Sequence, residues 1–472
     1  MQPRISARRL TVLLGPRGAG VPAYRWLADG IRQLVADGRL LHGTRLPSER
    51  ELLGQLGVSR TTVTRAYGVL RERGYAAAVR GSGTVVQVPG GPVAGGGEPL
   101  ELASLQPAGD GVIDLTCAAP AATPGLNRAY EWAVQRMPSF IAAAGYFPLG
   151  VPELREAIAQ RYADRGVSTD PDQIIVTTGA LAGLAAVFRA GLQRADPVVV
   201  ESPTYPNSVR ALEHSGARVV GAPLVTAGAD EVAGVIRRSG ARMMLAMPDF
   251  HNPTGHVWSD DERARIARKW RASGVTGVVD ETMVDTWLDR PVDARPMAAH
   301  APDCVTVGSA SKTFWGGLRI GWIRAPHALA GAIARARLSM DLGAPVLEQL
   351  AVSHLLRAQG GLSEESRRRL IDSRSMLLGL ADRCPGWQVE VPTGGLSLWW
   401  HLPHDSSTAL VAAAERRGVL LAPGALFAVD GRGLERWIRT PYALDELTLR
   451  RAADAIADAW TDVAGAPLRH RR

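Results

Sequence analysis

Between residues 174 and 307, short apolar, β-rich runs alternate with helix-length segments. The runs are Ile174-Ile-Val-Thr, Pro197-Val-Val-Val, Arg218-Val-Val, Met243-Met-Leu-Ala, Gly277-Val-Val-Asp and Val305-Thr-Val. Runs that are apolar on both faces suit strands buried from both sides, and the spacers between them suit helical crossovers. The pattern therefore predicts an α/β domain with a mostly parallel sheet, whose ligands bind beyond the carboxyl ends of the strands.

Residues with chemical potential fall just after those runs. In Ser309-Ala-Ser311-Lys312-Thr-Phe-Trp-Gly-Gly-Leu-Arg319-Ile-Gly, one lysine stands beside two hydroxyls, with an arginine seven residues on. A lysine that forms a Schiff base (aldimine) with an aldehyde cofactor needs neighbours that hold the cofactor's phosphate; serine hydroxyls and the arginine fork suit that task. Gly179-Ala180-Leu181 leads from a strand into a helix, whose first amides can cradle phosphate. Tyr205 can stack on a ring and Asn252, in Asn252-Pro-Thr-Gly255, can donate to a ring oxygen. Asp280 can keep a pyridine nitrogen protonated, and Arg439 can clamp a carboxylate. Taken singly, each also has an ordinary reading: a packed aromatic for Tyr205, a plain turn for Asn252, a helix cap for Asp280, a surface charge for Arg439.

The N-terminal segment, residues 20–88, has a different pattern. Leu27, Ile31, Leu34 and Val35 recur at helical spacing, in a helix ending near Gly38. Ser48 and Glu51 form a capping box that opens a second helix, and Gly57-Val58 makes a tight turn. Ser59 caps a third helix running to about Arg73. Val63, Ala66, Tyr67 and Leu70 fall on one side of it; Arg60, Thr61, Thr64 and Arg65 fall largely on the other. Two helices joined by a short turn, with arginines and hydroxyls on the second, suit a recognition helix in a DNA major groove. Ala76-Ala-Ala-Val and Gly83-Thr-Val-Val read as the strands of a wing, with Arg80 and Gly81 at its tip.

Residues 89–110, rich in Gly and Pro, read as a flexible linker to a large domain over 111–465. A chain of 472 residues with a net charge of +8 has room for two or three domains and permits nucleic-acid binding. Three widely spaced cysteines, Cys117, Cys304 and Cys384, suggest neither a disulfide framework nor a zinc site, and suit a reducing, cytoplasmic compartment. The apolar run Leu10–Leu14 is too short for a signal peptide, and no stretch is long enough to span a bilayer.

The N-terminal segment resembles the winged helix-turn-helix of GntR-type regulators through Arg45-Leu-Pro-Ser-Glu-Arg50-Glu-Leu, Leu56-Gly-Val-Ser59-Arg60-Thr61-Thr-Val and Arg80-Gly81-Ser-Gly-Thr. That resemblance implies DNA contacts by Arg45, Arg50, Ser59, Arg60, Thr61, Arg80 and Gly81. The large domain resembles fold-type I aminotransferases that use pyridoxal 5′-phosphate (PLP). The match runs through Tyr146-Phe-Pro-Leu-Gly150, Asn252-Pro-Thr-Gly255, Asp280, Ser309-Ala-Ser311-Lys312 with Arg319, and Arg439-Thr-Pro-Tyr. It implies a smaller α+β subdomain, and a homodimer in which Tyr146 reaches the neighbouring subunit's phosphate. In one respect the chain departs from the family, which commonly has a tyrosine two or three residues after the aspartate. Asp280-Glu281-Thr282-Met283 has none, leaving Thr282 as a partial substitute for a group of a kind typically worth roughly 10²–10⁴-fold in rate.

The fusion as a whole resembles the MocR subgroup of bacterial regulators. This implies a PLP-dependent regulator that binds operator DNA and senses PLP or an amino compound. The alternative is a working aminotransferase with an accessory DNA-binding module.

Overall fold

The computed structural model describes residues 4–18, 20–79, 83–91 and 111–464, with the backbone alone for 224–230. The chain divides into two compact units, residues 1–95 with 122–128 and residues 96–121 with 129–472.

The first unit is a winged helix-turn-helix. Helices α1 (Ala7–Leu14), α2 (Ala23–Ala36), α3 (Glu49–Leu56) and α4 (Arg60–Glu72) precede an antiparallel hairpin of β1 (Ala76–Val79) and β2 (Gly83–Val86). The Ser48–Glu51 capping box opens α3, and Ser59 Oγ accepts from the Thr62 amide at the start of α4. Between the two helices Gly57 turns through φ +64°, a left-handed conformation natural to glycine. Leu27, Ile31, Leu52, Val63, Ala66, Tyr67, Leu70 and Val86 build the core. The Tyr67 hydroxyl, buried with that core, donates to the Pro47 carbonyl at 2.6 Å. Helix α1 was not legible in the sequence pattern, because its apolar run is short and ends at Gly15-Pro16. Ser6 caps it, and burial of Leu10 against the core holds it.

In the second unit a short strand, β3 (Ile113–Asp114), comes first. Seven strands then build the main sheet: β4 (Ile174–Thr177), β5 (Pro197–Glu201), β6 (Arg218–Ala222), β7 (Met243–Ala246), β8 (Thr276–Asp280), β9 (Val305–Ser309) and β10 (Gly321–Arg324). Their spatial order is β4-β10-β9-β8-β7-β5-β6. The pairings from β6 to β9 are parallel, whereas β10 runs antiparallel to both β4 and β9. The six expected strands are present, and β10 is the one the sequence reading missed. Val198, Val199 and Val200, wholly buried, show why the runs read as continuously apolar: both faces of this sheet are covered.

A smaller α+β subdomain follows. Its sheet has the order β11-β12-β15-β14, from Gln388–Val389, Ser397–His401, Trp437–Pro441 and Ala422–Pro423, while β13 (Val419–Leu420) pairs with β3. Helices Glu364–Leu378 and Glu446–Ala464 share its core, where Trp387 packs between Trp400 and Trp460. Among the described residues no helix is long and apolar enough to cross a membrane.

Close helix-on-sheet packing depends on Gly277 of β8. A Cβ there would stand 2.2 Å from the ring of Trp270, on helix Asp260–Ser273. Gly277→Ala is therefore expected to destabilise the large unit by about 1–3 kcal/mol, the usual cost of overpacking, read as a lowered denaturation midpoint.

Candidate cofactor site and nucleic-acid interface

Because β5, β7, β8 and β9 are parallel, their carboxyl ends deliver Glu201, Ala246, Asp280 and Ser309 to one edge of the sheet. Strand β10 is antiparallel, so its beginning lies at that same edge: Gly321 pairs with Thr177 on one side and Ser309 on the other. This carries Arg319 to the start of helix Ala180–Gly191. There its Nη2 donates to the Thr178 carbonyl at 3.2 Å. Gly179 holds φ +104°, a conformation natural to glycine, and a Cβ there would stand 2.7 Å from that same Nη2. Arg319 itself holds φ +51°, a costly conformation for a residue with a side chain and a sign of local constraint. Ser309 Oγ accepts from the Ser311 amide at 3.1 Å, whereas the Ser311 hydroxyl is buried without a hydrogen-bond partner. A guanidinium, an unused hydroxyl and the amides of a helix N-terminus form a donor set that fits a phosphate. Leu181 lies half-exposed in that first turn.

Lys312 Nζ donates to the Ala118 carbonyl at 3.0 Å and lines a small cavity with Asn252, Gly255, Met283 and Ser397. Asp280 is buried, and burial pushes its carboxyl up from the ordinary carboxylate range against the opposing hydrogen bond from the Thr282 amide. Asn252 Oδ1 accepts from Arg439 Nη1 at 3.2 Å, joining two residues 187 positions apart. Arg439 is only 1% exposed; it also donates to the Thr116 carbonyl and lies over the Phe427 ring at 4.9 Å. Tyr205 immediately precedes helix Pro206–His214, and its hydroxyl accepts from Asn207. Tyr146 is 67% exposed and takes no part in the cavity of its own chain. Met283, not Thr282, lines that cavity; the Thr282 hydroxyl is buried without a hydrogen-bond partner.

Several supporting residues escaped the sequence reading. The Glu281 carboxylate accepts from Tyr162 Oη at 2.8 Å and from both Arg165 nitrogens at 3.2 Å. Burial works to raise Glu281, but the Arg165 guanidinium outweighs it and holds the carboxyl below its usual range. Asp285 pairs with Arg161 and accepts from Thr313 beside Lys312. Arg161 and Arg165, one helical turn apart, thus anchor both ends of the loop that begins at Asp280. No local spacing announces these pairs, whose members lie more than a hundred residues apart in the chain.

Glu201 and His251 are both buried, with Oε2 and Nε2 3.6 Å apart, and His251 lines the same cavity as Lys312. Burial pushes Glu201 up to about 8, despite the hydrogen bond it accepts from the Met247 amide, and presses His251 down to about 3.

In the first unit Arg50, Ser59, Arg60 and Thr61 are exposed around the α3–α4 turn, while Arg45 is half-buried. Ser59 Oγ lies 2.8 Å from Thr61 Oγ1, and Arg60 Nε donates to Glu49 at 3.3 Å. Arg45 pairs with Val85 of β2. Arg80 and Gly81 lie outside the described residues.

Residues 126–456 match the family model for aminotransferase class I and II, and residues 23–86 match that for bacterial regulatory proteins of the gntR family. The chain belongs to the class I and II aminotransferase family. A GntR-type reader fused to that domain is consistent with the MocR subgroup of bacterial regulators. The HTH-type transcriptional regulator YisV of Bacillus subtilis is 26% identical over 466 residues, covering 91% of this chain and 94% of that protein. The probable rhizopine catabolism regulatory protein MocR of Rhizobium meliloti is 28% identical, covering 69% of each chain. Among solved structures, the α-aminoadipate aminotransferase LysN of Thermus thermophilus, complexed with N-(5′-phosphopyridoxyl)-L-leucine, superposes with a TM-score of 0.66. It is 26% identical and covers 75% of this chain and 93% of its own.

The buried Glu201–His251 pair gives a pH prediction for this family member. Above the ordinary histidine range, near 6.5, His251 is neutral in folded and unfolded chains alike. From there to about 8, folded Glu201 keeps a proton that the unfolded chain has lost, so this group makes stability fall as pH rises. Glu201→Gln is expected to flatten that decline between about pH 6.5 and 8, measured by denaturation midpoints across the pH range.

Proposed function

We propose that this chain is a cytoplasmic transcription regulator in which a homodimer binds operator DNA and the aminotransferase-like unit holds PLP. Binding of PLP, or of an amino compound, would then set the affinity for DNA. The observation that carries this reading is the convergence of Lys312, Asp280, Ser311 and Arg319 on one sheet edge, with Asn252 and Arg439 joined at the same place. The GntR-type reader directs the outcome toward DNA rather than turnover.

When bound, PLP supplies an aldehyde that amines attack and a ring that withdraws electrons. In this reading Lys312 is the protein's own amine. Ser309, Ser311, Arg319 and the amides at Gly179, Ala180 and Leu181 hold the phosphate. Asp280 holds the proton of the ring nitrogen, an ion pair that offsets the cost of burying its charge. Tyr205 stacks on the ring, Asn252 donates to its oxygen, and Arg439 receives the carboxylate of an amino compound. Met283 at the cavity wall carries no proton, consistent with sensing rather than efficient turnover.

An exposed apolar patch supports dimerisation. Ile141 and Tyr146 lie on one segment, Met340 and Leu342 on another, and all four are exposed. Arg337 Nη1 donates to the Pro148 carbonyl at 2.9 Å, and Gly343 lies against the Phe147 backbone, which holds the two segments side by side. Such a patch on a large unit suits burial against a second copy, which would put Tyr146 within the partner's reach.

For the DNA contacts, Arg50, Ser59, Arg60 and Thr61, with Arg45 beside β2, form the interface together with Arg80 and Gly81, which lie outside the described residues. A ligand alters DNA affinity only by its differential affinity for two arrangements of the protein, typically a 5–150-fold effect.

The test is binding of the full chain to duplex DNA from upstream of its own gene and to unrelated duplex, with and without PLP. Operator affinity is expected to change several-fold with PLP, and Lys312→Ala to abolish the change. Equal affinity for both duplexes, or indifference to PLP, overturns the reading. The intact Lys312, Asp280 and Arg439 favour a second reading, a working aminotransferase. Sustained conversion of an amino acid and a keto acid over many cycles would establish it.

A further inference from the structure

Residues 4–18 carry four arginines and no carboxylate, and lie before the segment, 23–86, that matches the gntR family model. They are nonetheless built into the reader. The Ile5 amide donates to the Arg45 carbonyl at 3.1 Å, and Arg4 and Arg45 pair as a parallel bridge. On its other side Arg45 pairs with Val85, so Arg4, Arg45 and wing strand β2 lie side by side. Ile5 and Leu10 are buried in the reader's core, which leaves Arg4, Arg8 and Arg9 on the outside, all exposed. The Arg4 guanidinium pairs with Glu51 in the first turn of α3, immediately after exposed Arg50. The one other carboxylate of that turn, Glu49, is paired with Arg60. Both acids nearest the helix-turn-helix face are therefore charge-matched, one of them from this N-terminal arm.

We infer that residues 4–9 form a basic arm that extends the DNA interface on the wing side, with Arg8 and Arg9 neutralising flanking phosphates and Arg4 cancelling the charge of Glu51. The inference rests on the DNA-binding reading above. Its physical content is electrostatic and independent of base sequence. A rigid arm pinned by Ile5 and Leu10 holds its charges in place, whereas a loose tail would lose entropy on docking. Duplex DNA is favoured over an acidic protein partner because single bridges join the arm to Arg45 and Arg45 to wing strand β2.

The experiment measures affinity of the full chain for the upstream duplex and for a scrambled duplex at several salt concentrations. The variants are Arg8→Gln/Arg9→Gln and, as a control of equal charge, Arg265→Gln/Arg268→Gln on exposed positions of the large unit. Each phosphate contact contributes about 0.9 to the slope of log affinity against log salt, so the arm variant should lose about 1.8 on both duplexes. The ratio between duplexes should stay unchanged, as should the melting temperature, and the control should keep the parent slope. An unchanged slope in the arm variant, or an equal loss in the control, overturns the inference. Equal affinity of the parent for the two duplexes would instead count against the regulator reading, and the slope comparison would still judge the arm.

Discussion

The large unit's site depends on one backbone contact. Gly321, first residue of β10, lies so close to the turn before helix Ala180–Gly191 that a Cβ there would stand 2.5 Å from the Gly179 carbonyl carbon. That approach lets an antiparallel strand enter an otherwise parallel sheet between β4 and β9. It also turns the chain so that Arg319, just before the adjacent strand β10, reaches the helix N-terminus. Two glycines, neither bearing a functional group, set where the guanidinium stands. The helix supplies amides, the antiparallel strand supplies the cation, and the strand before it supplies the serines and Lys312.

Around this edge the protein builds support in layers. Arg161 and Arg165 hold the loop after Asp280, and Thr313 ties that loop to the lysine segment. Asn252, in a turn after β7, and Arg439, on β15 of the smaller sheet, meet through one hydrogen bond. Buried charge is expensive unless paired, and most of it here is: Glu281 with Arg165, Asp249 with Arg263, which is wholly buried. Glu201 and Asp280 are exceptions: among the described residues neither accepts a hydrogen bond from an arginine or lysine, and burial pushes both carboxyls up.

The fold class was readable because parallel strands covered on both faces have an unmistakable composition and because caps act locally. Ser48 with Glu51, Ser59 and Gly57 specify helix ends within a few residues of themselves, and the structure places α3 and α4 accordingly. Strand β10 and helix α1 were missed for the opposite reason. Gly-Trp-Ile-Arg is too short to show a period, and Ala7–Leu14 is a helix only because Leu10 finds a core contributed by α2, α3 and α4. In the same way the motif around Lys312 stood out in the chain, whereas the Tyr162–Arg165–Glu281 network did not.

The sequence by itself determined the two-part architecture, the strand-and-helix alternation of the large unit, and the residue types available for cofactor and DNA. These follow from patterns of period two to four and from motifs confined to a dozen residues. The tertiary structure alone decided that Arg319 faces Gly179, that Asn252 bonds Arg439, that Met283 rather than Thr282 lines the cavity, and that Arg4 lies beside Arg45. Each is a meeting of residues distant in the chain, or a choice of which side of the backbone faces inward, and those depend on packing rather than on local preference.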